Sequence, residues 1–150
     1  MRIAVAADHA GWKDKTWVAE RLRKLGHEVT DFGTDSAESC DYPDFAVAVA
    51  TAVADGRCDQ GVLVCGTGIG MSIAANKVKG VRAAACQCAE AAKFGRAHND
   101  ANVLCMGSRL TDRETMAAIL DAWLATPFEG GRHEHRVNKI NSLDQGRTCP

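Results

Sequence analysis

At 150 residues with 46% apolar content, the chain is the size of one compact domain with its own core. A formal charge of -1 with no long basic run excludes an electrostatic footprint for nucleic acid or an anionic membrane surface, and no apolar run approaches the roughly 18 residues of a membrane span. Met1 leads straight into RIAVAAD and the seven cysteines form no repeated CxxC pair, so the expectation is a cytoplasmic protein with reduced thiols and no leader peptide.

In chain order, IAVAA at 3–7 reads as a first strand running into Asp8-His9-Ala10-Gly11. Val18, Leu22 and Leu25 then recur at helical spacing, and Gly26 ends that segment. EVTDF at 28–32 is a second strand and GVLVC at 61–65 a third. The third runs into the glycine-rich turn CGTGIGMS, expected to open a helix near Ser72. VRAAAC at 81–86 and NVLCMG at 102–107 complete five strands, and Thr111 with Glu114 has the spacing of a capping box before MAAILDAWL. Strands alternating with helices imply a parallel sheet with helices on both faces, a doubly wound, Rossmann-like α/β sandwich. Residues 128–145 lie outside the alternation and carry Val137, Ile140 and Leu143 as an apolar stripe, so an extra C-terminal helix is expected, packed on its own domain or on a partner subunit.

The turn at 65–72 sits where open α/β sheets bind ligands, and its amides together with the following helix terminus favour an anion. The dinucleotide fingerprint fails because Met71 stands where its third glycine belongs, and the P-loop fails at the same residue with no lysine beside it. A phosphatase loop would need an arginine at Met71. What remains is a thiol, Cys65, at a helix N-terminus beside a nest of amides, where it can serve as a base or nucleophile. A cysteine in an apolar strand is ordinarily a small buried hydrophobe, and that reading stands beside the first for Cys65 and ahead of it for Cys58, Cys86, Cys88, Cys105 and Cys149.

Other polar groups gather at strand ends. His9 follows Asp8, and His98-Asn99-Asp100 precedes the fifth strand, both histidines being placed in loops. Arg109 lies just past that strand, and Arg132 and Arg136 stand one helical turn apart, forks suited to phosphate or simply a solvated face. A metal site drawn from His133-x-His135 or Cys86-x-Cys88 is disfavoured, since i, i+2 side chains on a helix point apart.

DHAG at 8–11, DYPD at 41–44, CGTGIGMSIAANK at 65–77, HNDANVL at 98–104, GSR at 107–109 and GGRHEHRV at 130–137 occur in an order that closely resembles the type B ribose-5-phosphate isomerases and the related galactose-6-phosphate isomerase subunits. The likeness runs from Arg2 to about Leu143. It implies an aldose–ketose isomerase of a sugar phosphate, working through an enediol(ate) without metal or other cofactor, as a homodimer or dimer of dimers with sites at the subunit interface. By the same resemblance Cys65 moves the proton between C1 and C2, Gly66, Gly68, Ile69 and Gly70 bind the oxyanion, Thr67 assists proton transfer on oxygen and His98 opens the sugar ring. Asp8, His9, Tyr42 and Asn99 would hold the sugar, with His9, Arg109, Arg132 and Arg136 at the phosphate. Where one branch of the family carries a glutamate base this chain has Met71, while Trp12, Asp14 and residues 86–97 depart from the common pattern. A phosphosugar-binding module and a cysteine phosphatase are the readings from other classes.

Overall fold

The computed structural model describes residues 1–146. Five strands, β1 (Arg2–Ala7), β2 (Glu28–Asp31), β3 (Gln60–Cys65), β4 (Ala83–Ala85) and β5 (Val103–Gly107), form one parallel sheet in the order β2-β1-β3-β5-β4. The helices are α1 (Trp12–Lys24), α2 (Tyr42–Ala54), α3 (Ile69–Ala75), α4 (Ala89–Asn99), α5 (Arg113–Ala125) and α6 (Arg132–Leu143).

The period-2 alternation of buried strands sorts side chains to two cores. Ile3, Val5, Val62, Val64, Leu104 and Met106 point to the layer of α1, α4 and α5, where Val18, Leu22, Met116, Ile119, Leu120 and Trp123 meet them. Ala4, Ala6, Leu63, Cys65, Val103 and Cys105 point the other way, to Ala46, Val49 and Ala50 of α2 and Met71 and Ala75 of α3. The result is the expected three-layer α/β sandwich. Small strand residues on the second face let α2 and α3 lie close, and this close packing brings Tyr42 and the α3 turn together.

The largest buried polar side chains, Trp123 and Lys15, are paired, as burial requires, whereas the buried Ser108 Oγ has no hydrogen-bond partner among the described residues. Trp123 Nε1 donates to Gln60 Oε1 at 2.8 Å. Lys15 is wholly buried, its ammonium 2.8 Å from Asp31 and 2.6 Å from Asp35, which ties α1 to β2 and the segment after it.

Several local expectations change. The helix after β3 begins at Ile69 rather than Ser72, because Gly68 adopts φ +78° and turns the chain three residues earlier. Asp112, not Thr111, caps α5, its carboxylate accepting the Thr115 N–H at 2.8 Å. Thr111 is unavailable as a cap because its hydroxyl donates to the Gly107 carbonyl at 2.8 Å. The C-terminal helix starts at Arg132, where the two positive-φ glycines 130 and 131 end. Its stripe divides: Val137 is buried, while Ile140 and Leu143 are exposed. His98 and Asn99 belong to the last turn of α4 rather than a loop. Cys88 is exposed at the N-cap of α4 instead of buried, since the helix cap faces solvent, and Cys149 lies outside the described residues.

Candidate active site

The strand order changes direction between β1 and β3, and the crevice outside their carboxyl ends is the ligand position of such sheets. After β1 the buried Asp8 carboxylate accepts the N–H groups of Ala10 (2.9 Å) and Gly11 (3.1 Å), closing the turn into α1. Gly11 is required there, because a Cβ would lie 2.5 Å from the Val64 carbonyl oxygen. His9 Nδ1 accepts the Cys40 N–H at 3.3 Å, which draws the segment before α2 over the crevice.

Across the crevice, the Gly68 N–H donates to Cys65 Sγ at 3.1 Å. The sulfur is nearly buried and faces the positive end of an amide, the geometry in which a thiolate is held as an acceptor. The turn itself is pressed against β5. A side chain at 107 would come within 2.7 Å of the Thr67 backbone, so glycine is needed. Thr67 is exposed, with its hydroxyl oxygen accepting the Ile69 N–H at 3.3 Å. Of the other first-turn amides of α3, those of Gly70 and Met71 have no intrahelical acceptor. Tyr42 lies over Gly70, where a Cβ would sit 2.8 Å from the ring. The Arg109 guanidinium lies against Gly66, a Cβ there being 3.4 Å from its central carbon, and the Arg109 N–H donates to the Gly66 carbonyl at 3.0 Å. Asp8, His9, Tyr42, Cys65, Gly66, Thr67, Gly68, Ile69, Gly70 and Arg109 therefore share the carboxyl edge of the sheet.

Two other thiols of the sheet region are held in the protonated form. Burial pushes the Cys86 thiol up to about 11 and the Cys105 thiol well above its ordinary range. Met71 is fully buried under the turn, and Asp14 is spent on Arg113 Nε at 3.1 Å, so it shapes the surface rather than the crevice.

The other site residues lie elsewhere. Because α4 starts after β4 and ends before β5, His98 and Asn99 stand at the amino edge of the sheet, and α6 packs there too. The length of α4, or equally of β5, separates the two edges by roughly 16 Å. Within one chain, then, His98, Asn99, Arg132 and Arg136 do not meet Cys65.

At the amino edge the His98 and His133 rings stack with centroids 4.1 Å apart and planes within 3°. Glu129 Oε2 lies 3.8 Å from His98 Nε2 and 3.7 Å from His133 Nε2, and Arg132 Nε reaches His133 Nε2 at 3.5 Å. Glu129 and His133 were not predicted as site residues. The only sequence trace is their i, i+4 spacing around the glycine pair, which shows its meaning once α6 docks on α4. The three groups hold ligand atoms within 4.8 Å of one another. The arrangement does not suit a metal, since an ion takes an imidazole lone pair in the ring plane and two parallel stacked planes share no point. Burial, and then the charges of His98 and Arg132, push the His133 ring below its ordinary value, so it sits neutral.

Beside this edge a cavity of about 480 Å³ is bounded by Arg82, Ala84, Asn99, Ile140 and Leu143, next to the exposed part of the α6 stripe. No helix among the described residues is long and apolar enough to cross a membrane.

A family model described as Ribose/Galactose Isomerase matches residues 3–140. Ribose-5-phosphate isomerase B of Escherichia coli is 48% identical over 146 residues, covering 97% of this chain and 98% of that protein. D-erythrulose-4-phosphate isomerase of Pectobacterium atrosepticum is 42% identical over 141 residues, 93% of each. The solved structure of Clostridium thermocellum ribose-5-phosphate isomerase B superposes with a TM-score of 0.96 at 48% identity, covering 99% of this chain and 100% of that one.

Proposed function

The chain belongs to the ribose/galactose isomerase family and is an aldose–ketose isomerase of sugar phosphates, and from that premise we propose that it interconverts D-ribose 5-phosphate and D-ribulose 5-phosphate through an enediol(ate) with Cys65 as the base. The observation that carries the reading is the Cys65 sulfur held by the Gly68 N–H at the lip of an amide nest, at the strand-order switch.

The chemistry follows from that placement. The Cys65 thiolate takes the C2 proton of the open-chain aldose. The C–H pair becomes the C1–C2 double bond, and the carbonyl pair moves onto O1. A proton beside a carbonyl is weakly acidic, so this step needs the oxyanion stabilised, which fixed amides from Gly66 to Gly70 supply. Losing one such donor in a hydrolase costs roughly 2.7 to 4 kcal/mol, so a nest of them accounts for much of the barrier reduction. Thr67 relays the hydroxyl proton from O2 to O1, and the thiol returns its proton to C1, giving the ketose. His98 opens the cyclic sugar beforehand: the ring C1–O bond breaks, the ring oxygen takes the His98 proton, and the anomeric hydroxyl loses its proton to water as the carbonyl forms.

The phosphate falls to Arg109 and His9 on one edge and to Arg132 and Arg136 on the other. One chain cannot bring these together across roughly 16 Å, whereas a two-fold dimer can set the amino edge of one subunit against the carboxyl edge of its partner. The exposed Ile140 and Leu143 beside the cavity at 82–84 supply an apolar surface for that contact.

The Pectobacterium relative, which by its name acts on a tetrose phosphate, favours a second reading in which the substrate is a four-carbon sugar phosphate. Turnover of D-ribose 5-phosphate, a tetrose 4-phosphate, D-allose 6-phosphate and D-galactose 6-phosphate in chelator-treated buffer decides between them. Ribose 5-phosphate converted fastest supports the proposal; faster conversion of another names that substrate instead, and binding without conversion of any would leave a phosphosugar-binding module.

A further inference from the structure

The His98–Glu129–His133 group has features that ring opening alone does not explain. Two imidazoles stacked at 4.1 Å cannot both be charged without repulsion, so the stack accommodates one charged ring beside one neutral ring. What matters is which ring carries the charge. His133 is buried and its Nε2 is occupied by the Arg132 N–H, an acceptor role available only to a neutral ring. His98 is partly exposed, carries no such donor on its Nε2 and has the Glu129 carboxylate 3.8 Å away.

The other charged groups near the pair are Arg132 and Arg136 from α6, both on the His133 side. From α4, Arg96 is turned to Asp100 and the Ala101 carbonyl, and Phe94 adds only an aromatic face at 4.9 Å. Among the described residues, Glu129 is thus the one carboxylate within 4.0 Å of either ring nitrogen. Its backbone N–H donates to the Ala97 carbonyl at 3.0 Å, one residue before His98, which fixes it to the same turn of α4.

We infer that Glu129 is a positioning residue for the ring-opening step, holding the donor proton on Nε2 of His98 while His133 serves as the neutral stacking partner. The inference rests on the isomerase reading. No bond to carbon changes at Glu129; its carboxylate stabilises the imidazolium that donates to the ring oxygen, and water restores the proton after each turnover.

The test is an NMR titration of the histidine rings combined with the pH profile of kcat/KM for ribose 5-phosphate, in wild type, Glu129→Gln and Glu129→Asp. An opposite charge within about 4–6 Å raises the pKa of a cation, so neutralising Glu129 should lower that of His98 by about 1 unit. Because the proton donor is the charged form, the alkaline limb should move down by the same amount, a loss of about tenfold above it. Glu129→Asp should restore most of the limb, and His133 should stay neutral throughout the range in which His98 titrates. An unmoved His98 and limb in Glu129→Gln, or protonation of His133 before His98, overturns the inference. A wild-type protein that converts no sugar phosphate while His98 still responds to Glu129→Gln would overturn the isomerase reading instead.

Discussion

The separation of the site residues leads to a test by subunit mixing. Ribose 5-phosphate from O1 to a terminal phosphate oxygen is the backbone length of fewer than three residues, roughly 9 Å. The two edges of the sheet lie roughly 16 Å apart by the length of α4, so no substrate molecule reaches Cys65 and the Arg132–Arg136 pair of one chain together. Cys65→Ala removes the base. The double variant Arg132→Ala/Arg136→Ala removes two charge-assisted contacts worth about 1.5–3 kcal/mol each. Each homodimer should be nearly inactive. Co-expressed in equal amounts with different tags, half the dimers are hybrids, and each hybrid has one intact site and one doubly defective site. Ribulose 5-phosphate formation should therefore recover to about a quarter of wild type. Activity equal to the sum of the two inactive homodimers would refute a site shared between subunits.

Other perturbations probe the turn, the cap and the thiols. Gly107→Ala sets a methyl within 2.7 Å of the Thr67 backbone, so it should cost about 1–3 kcal/mol of stability and lower kcat through the displaced nest, read by thermal melts and steady-state kinetics. Asp112 lies below the ordinary carboxylate range because Thr115 donates to it, so its stabilising contribution is present above about pH 4 and fades as pH falls through its folded value. The loss of Tm in Asp112→Ala should therefore be largest near neutrality and vanish in acid; a pH-independent loss would rule out the cap. Iodoacetamide at neutral pH should label the exposed Cys88 before Cys86 and Cys105, whose thiols burial pushes up, as read by peptide mass spectrometry.

Much of this architecture was readable from residue pattern. Apolar runs near 3–7, 61–65 and 102–107 are strands buried on both faces, and their near-continuous hydrophobicity is what a central parallel strand requires. VRAAAC predicts a longer strand than β4, because the Arg82 backbone N–H donates to Asn102 Oδ1 rather than to the ladder, and only Ala83–Ala85 pair with β5. Three alternate glycines leave the start of α3 open in the sequence, and the left-handed conformation of Gly68 sets it at Ile69. Thr111 has the right spacing for a cap, but its partner is decided by a tertiary contact with Gly107. The carboxyl-edge grouping of Asp8, His9, Cys65 and Arg109 was legible because each lies at or just after the end of a strand, though the strands are far apart in sequence. The pairing of His98 with Glu129 and His133 was not, since it depends on how α6 docks on α4, and the helix stripe alone does not give that direction.

In the proposed reaction Cys65 performs the proton transfer while the rest of the site binds. The most direct test of that role is Cys65→Ala, assayed for conversion of ribose 5-phosphate and, by calorimetry, for binding of the same compound. The expected result is a kcat reduced to background with affinity within a few-fold of wild type. Turnover near the wild-type rate in that variant would contradict it.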